Sequence, residues 1–91
     1  MTEVRDNPGR HRFEMEERGQ IVFADYRRNG VRLIIDHVEA PVSLRGTGAA
    51  GRFMEGLVAA ARAEGSIIVP ICSYAAVWLQ RHPELAAGVV G

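Results

Sequence analysis

At 91 residues the chain lies near the lower end of what buries an adequate core, so one domain over residues 1–91 and no second catalytic domain are expected. Its 47% apolar and 24% charged content is that of an ordinary soluble globular chain, and eleven basic against eleven acidic residues leave no net charge, which argues against nucleic acid as a partner. No apolar run approaches the roughly 20 residues of a membrane span and the amino terminus carries no signal-peptide core, so no membrane partner and a cytoplasmic location are expected.

Residues Thr2 to Arg10 are polar around Pro8-Gly9 and read as a lead-in. Phe13 and Met15 then alternate with Arg12, Glu14 and Glu16, a short strand in which His11 is expected to sit on the surface. Glu17-Arg18-Gly19 can turn the chain into a second strand, Gln20 to Arg28, with Val22, Ala24 and Tyr26 on one face and Ile21, Phe23 and Asp25 on the other. Asn29-Gly30 is the strongest hairpin signal, since both residues tolerate the positive φ of a type I′ turn. The third strand, Val31 to Val38, sets Val31, Leu33 and Ile35 against Arg32, Ile34 and Asp36.

From about Thr47 the period becomes helical, with Phe53, Met54, Leu57, Val58 and Ala61 on one face and Gly65 placed to end the helix in the left-handed conformation. Ile67 to Ile71 is a short apolar run expected of a strand covered on both faces, and Pro70 implies that its end lacks regular pairing. Strand, helix and strand make a parallel crossover. Tyr74, Val77 and Trp78 predict a second helix that stops before Pro83, followed by a short turn from Glu84 to Ala87 and a weak tail. The fold class is α/β in the broad sense (α+β): an antiparallel three-strand meander, a βαβ crossover and a C-terminal helix.

Between the third strand and the first helix stands Arg45-Gly46-Thr47-Gly48-Ala49-Ala50. The first N–H groups of a helix have no intrahelical partner, they sit at the positive end of its dipole, and a glycine-rich approach lets an anion reach them. The loop ends in Gly51-Arg52 and lacks the Lys-Ser/Thr pair of a nucleoside triphosphate loop. Gly46-x-Gly48-x-x-Gly51 has the spacing of a dinucleotide fingerprint, but no acidic residue follows at about 20 positions to hold a ribose, and the preceding strands are joined by hairpins. The third reading, Arg45-x-x-Gly48-x-Ala50, is an acyl-coenzyme A pyrophosphate loop.

The hexapeptide resembles motif A of the GNAT N-acetyltransferase superfamily. With Asp6-Asn7, Arg12-Phe13-Glu14, His37-Val38-Glu39-Ala40-Pro41, Val69-Pro70-Ile71-Cys72-Ser73-Tyr74 and Arg81-His82-Pro83-Glu84, the chain resembles, from about Asp6 to Leu85, the small single-domain GNAT-like family typified by the bacterial YjdJ proteins. Leu44 stands where an aromatic residue is common, and Val38 replaces a frequent threonine, which removes a hydroxyl near the expected acyl position. The resemblance implies a minimal GNAT-like fold, acetyl-coenzyme A as donor and an amine as acceptor. By position, the amides of Arg45, Gly46, Thr47, Gly48, Ala49 and Ala50 would hold the pyrophosphate, and the strand edge around Val38 and Glu39 would pair with the pantetheine arm. The family lacks the early helices that wall the acceptor site in larger members, which suits a protein or peptide acceptor.

The resemblance also implies use of Cys72, either as an acetyl-cysteine relay or in positioning the amine. A helix N-terminus enriches the nucleophilic thiolate, whereas a free cysteine elsewhere is commonly a small buried apolar residue. As the chain's one cysteine it forms no internal disulfide, in keeping with a reducing compartment. His37 and Glu39 flank Val38, point to one face and could take the amine proton directly or through water. The amides of Ser73, Tyr74 and Ala75 open the second helix and could receive a phosphate or the thioester oxygen. His82, before Pro83, is read as a helix-end or turn residue, with contact to the cofactor as the alternative, and three scattered histidines with one cysteine give no metal-ligand spacing, so no metal is expected. Two other readings stay open: a noncatalytic coenzyme A-binding module, and a structural domain whose glycine loop is only a tight turn.

Overall fold

The computed structural model describes residues 3–91. Five strands form one sheet in the order β1-β2-β3-β4-β5, and three helices pack on it. In the meander, β2 (Arg12–Glu17), β3 (Gln20–Asn29) and β4 (Arg32–Glu39) pair antiparallel. Phe13, Met15, Val22, Ala24, Tyr26, Leu33 and Ile35 are buried, as the period-two pattern predicts. Arg18 and Gly19, at φ 53° and 74°, make the tight β2–β3 turn. The next turn corrects the expectation. Asn29 remains in β3 opposite Arg32, and Gly30-Val31 form the turn, with positive φ at Gly30 alone as a type II′ geometry requires. Val31 is therefore 64% exposed instead of joining Leu33 and Ile35 inside.

The lead-in is more ordered than its polarity predicts. Thr2, where that expectation begins, lies outside the described residues, but Arg5–Asn7 form the edge strand β1 against β2, so the described residues hold five strands and not four. A 3-10 turn, Pro8–Arg10, follows, and His11 caps it at φ 53° and does not belong to a strand. Its carbonyl accepts the Tyr26 N–H at 2.9 Å. Periodicity misses β1 because long-range polar contacts hold it: the Tyr26 hydroxyl donates to Asp6 at 2.6 Å, and Arg28 reaches the same carboxylate at 3.2 Å. Val4 sits over Gly56, where a methyl group would collide with it.

Helix α1 (Ala49–Glu64) buries Ala49, Phe53, Met54, Leu57, Val58 and Ala61, and ends at Gly65 with φ 77°. Strand β5 (Ile67–Pro70) pairs parallel to β4, and α2 (Ser73–Arg81) and α3 (Pro83–Ala86) follow. All buried apolar side chains belong to one cluster. Of the β5 residues only Ile68 is fully buried, while Ile67 and Val69 on alternate positions are half-buried, which corrects the expected coverage on both faces. The tail is also more than a weak end. The Ile68 N–H donates to Val89 at 2.6 Å, Gly91 donates back to Ile68 at 3.2 Å, and Val89 is buried, so the chain covers the free edge of β5. The observed architecture is α+β, a mixed sheet with its helices on one face.

Arg28 joins the two ends of this layout. It donates to Glu64 at the end of α1 at 2.6 Å as well as to Asp6, and lies 4.9 Å from the Tyr26 ring centre. Its hydrogen bond holds the Glu64 carboxyl below the ordinary carboxylate value. A lowered folded-state pKa means that this contribution is present above the unfolded value and disappears as the pH falls. Glu64→Gln is expected to cost about 0.5–1 kcal/mol in urea unfolding at pH 7, discounted for the exposure of the pair. The difference from the parent chain should close as the pH drops below about 4.5.

Candidate functional site

The site begins where two strands part. Parallel pairing of β4 and β5 ends at Ile35 opposite Pro70, which has no N–H to continue it. The Ile71 and Cys72 N–H groups both donate to the Ile35 carbonyl at 3.0 Å, and the chain then leaves the sheet into α2. β4 itself runs on to Glu39.

A bulge shapes that free length of β4. Asp25 lies opposite His37 and Tyr26 opposite Ile35, so Asp36 is an extra residue. Arg27 braces its carboxylate with two bonds of 2.7 Å. The bulge inverts the pleat, so Val38, opposite buried Ala24, packs toward the core while His37 and Glu39 share the other side. It also decides where the Val38 peptide groups point. Ile35 turns its carbonyl to β5 and Tyr26 its N–H to His11, so the Tyr26–Ile35 pair is the non-hydrogen-bonded kind. By the antiparallel alternation the Ala24–Val38 pair is the same kind. The Val38 N–H and C=O therefore face the gap that β5 has vacated.

The glycine loop borders this region. A 3-10 turn, Val42–Leu44, precedes it, and Gly46 and Gly48 take φ 82° and 84°, which side-chain-bearing residues adopt at a cost. Not all of its amides are available. Arg45 donates to Val42 at 3.1 Å, Thr47 to Leu44 at 3.2 Å, and Ala49 to the Thr47 hydroxyl at 3.3 Å. The amides of Gly46, Gly48, Ala50 and Gly51 find no acceptor among the described residues. Gly51 is absent from the expected site, although it was legible as the last glycine of the Gly46-x-Gly48-x-x-Gly51 spacing.

A pocket of about 370 Å³ joins the strand edge to the loop, lined by His37, Val38, Glu39, Ala40, Arg45, Ala50 and Tyr74. His37 Nε2 and Glu39 Oε1 are 2.9 Å apart and both side chains are about half exposed, at 54% and 55%. Burial, and then the neighbouring Cys72 sulfur, push the Tyr74 phenol above its ordinary value, so it stays protonated and can donate. Ser73, Tyr74 and Ala75 supply three further amides without an acceptor among the described residues at the start of α2, although the Ala75 side chain is core. Cys72 is the N-cap of that helix, half-buried against the core, and does not line the pocket wall. His82 closes α2, with Nδ1 donating to the Trp78 carbonyl at 2.7 Å and its ring stacked on the indole at 3.9 Å.

The family model described as GCN5-related N-acetyl-transferase matches residues 12–88, which takes in the meander, the bulge, the glycine loop, β5 and α2. The chain belongs to the GCN5-related N-acetyltransferases. No curated protein matches it. Membership supports a general acetyltransferase role, and the family generally uses acetyl-coenzyme A and an acceptor. Among the described residues no group of three or more His, Cys, Asp or Glu could hold a metal ion, and no helix is long and apolar enough to cross a membrane.

The positive φ angles in the glycine loop give a direct check. Gly46→Ala is expected to cost about 1–2 kcal/mol in chemical unfolding, with Gly46→Asn costing less because asparagine tolerates the left-handed region. Nothing lies within 4 Å of a Cβ at position 46, so crowding cannot account for the difference.

Proposed function

We propose that this chain transfers the acetyl group of acetyl-coenzyme A to an amine of a protein or peptide. The observation that carries the reading is the placement of the Val38 peptide groups in the β4–β5 gap, next to a glycine loop with four unused N–H groups. A pantetheine arm carries amides and can enter the gap as a surrogate strand, bonding to Val38. The pyrophosphate then meets Gly46, Gly48, Ala50 and Gly51, with the Arg45 guanidinium adding permanent charge. Family membership supports the donor assignment.

In this arrangement the acceptor amine approaches along the open side of β4. His37, supported by Glu39 at 2.9 Å, takes its proton directly or through water. The amine nitrogen attacks the thioester carbon, and the acceptor-free α2 amides of Ser73 to Ala75 would stabilise the oxyanion. On collapse the C–S bond breaks, the coenzyme A thiolate departs, and Tyr74 can donate a hydrogen bond to it. Exposure of His37 and Glu39 and the bare outer face of the sheet favour a macromolecular acceptor over an enclosed metabolite.

For Cys72 the reading here is direct transfer, supported by a side chain that packs half-buried against the core at the start of α2. Intact mass after incubation with acetyl-coenzyme A should show no acetyl adduct, and Cys72→Ser should keep its turnover; an acetylated Cys72 overturns direct transfer. Release of free thiol with a panel of amines and lysine peptides tests the reaction itself. His37→Asn with Glu39→Gln is expected to lower kcat by about 10²-fold or more, the usual contribution of a positioned base. Saturable coenzyme A binding with no thiol release from any amine would instead support a noncatalytic binding module.

A further inference from the structure

Arg52 stands four residues into α1 and belongs to none of the groups assigned above, yet it touches three parts of the fold. Its Nη2 and Nε donate to the two Glu17 carboxylate oxygens at 2.6 and 3.1 Å, a fork-on-fork pair at the end of β2. Its Nη1 donates to the Thr47 carbonyl at 3.0 Å, and its own N–H donates to Gly48 at 3.0 Å. The same Nη1 lies 3.1 Å from the place a Cβ on residue 48 would occupy, so the guanidinium rests against the loop backbone. Glu17 is only 16% exposed at its side chain, and the hydrogen bond from Arg52 holds its carboxyl below the ordinary value.

We infer that the Glu17–Arg52 pair is a positioning clamp for the glycine loop, fixing the Thr47–Gly48 peptide so that the Gly48 N–H is presented to the ligand anion. The argument is geometric. A trans peptide is planar and its C=O and N–H point in opposite directions. Arg52 draws the Thr47 carbonyl toward β2, so the Gly48 N–H must point the other way and cannot find a protein acceptor. A flip of this peptide turns ψ of Thr47 and φ of Gly48, and because Gly48 has no Cβ to resist it on that side an external tie fixes the orientation. Lysine would not replace the arginine, because one ammonium cannot hold both carboxylate oxygens and a third acceptor in a fixed plane.

A competing role is direct: Arg52 leaves Glu17 and binds the anion itself. The two roles predict opposite effects of Glu17→Gln, since the substitution loosens a clamp but releases a cation. The clamp rests on the acetyl-coenzyme A reading, so the experiment uses coenzyme A as probe and also examines the free protein. In calorimetry, Glu17→Gln and Arg52→Lys are each expected to weaken coenzyme A binding about tenfold, the size of a lost charge-assisted hydrogen bond. The KM for acetyl-coenzyme A should rise by a similar factor with kcat within about twofold, as for uniform binding. Glu64→Gln, a comparable ion-pair loss remote from the loop, should leave both constants unchanged. In the unliganded protein the Gly48 amide resonance should move in Glu17→Gln. Tighter binding by Glu17→Gln, or a full response of Glu64→Gln, overturns the clamp. If the parent chain binds no coenzyme A, the donor reading fails alone, and an unmoved Gly48 amide in Glu17→Gln would then overturn the clamp as well.

Discussion

One carbonyl oxygen organises this molecule. Ile35 accepts from both Ile71 and Cys72, and with its two lone pairs filled the β4–β5 ladder can advance no further. Pro70 prevents continuation from the other strand, and the Asp36 bulge bends β4 away at the same level. These three features together open a gap that exposes main chain on one side and starts a helix on the other. Unpaired strand groups are ordinarily a hazard in a small protein, because they template association. Here the unpaired length is confined to a few residues, and His37 and Glu39 flank it with polar groups.

The rest of the fold keeps that gap open without losing the core. A sheet with helices on one face has two edges and a bare side, and a chain this short has little area to spare. β1 closes the first edge and the Val89–Gly91 segment runs along the last. Arg28 links Asp6, the Tyr26 ring and Glu64, so the far end of the sheet is tied to the far end of α1. At the near end Arg52 ties the start of α1 to β2 through Glu17. The helix that aims its N-terminus at the gap is thus held at both ends by arginine.

Apolar periodicity made the meander, α1, β5 and α2 legible, because each buries a face whose residues recur at two or 3.6 positions. β1 escaped because its three residues, Arg5, Asp6 and Asn7, bury no apolar side chain and depend on partners about 20 positions away. The Asp36 bulge escaped too: an aspartate in a strand carries no signal of being the extra residue, and only the pairing partner reveals it. The hairpin turn lies one residue later than the Asn29-Gly30 signal indicates, because Gly30 alone supplies the positive φ and Asn29 finishes its strand. In the candidate site, the glycine loop stands out as a motif and His37 and Glu39 by their flanking of Val38, while the roles of Val38 and of the loop amides rest on the family resemblance. Which amides remain free was not legible, since Arg45 and Thr47 use theirs on carbonyls inside the preceding turn. Gly51 is a position of the dinucleotide spacing but not of the Arg45-x-x-Gly48-x-Ala50 motif, so that motif does not point to its free amide.

Strand pairing and ligand binding are one problem in this fold. On the proposed reading, a pantetheine arm bonded to Val38 supplies a rung that β5 abandons at Pro70, and the phosphates neutralise the exposed end of α1. The ligand would then join two parts of the chain that protein contacts alone hold apart, β4 and the α1 N-terminus. Binding to the folded state adds directly to its stability, in proportion to RT ln(1 + [L]/Kd). A small protein with a one-sided core gains more, relative to its own marginal stability, than a large enzyme would from the same affinity. Substitutions in the loop should accordingly be judged at fixed ligand concentration, because a lost phosphate contact will resemble a packing defect whenever the donor is present.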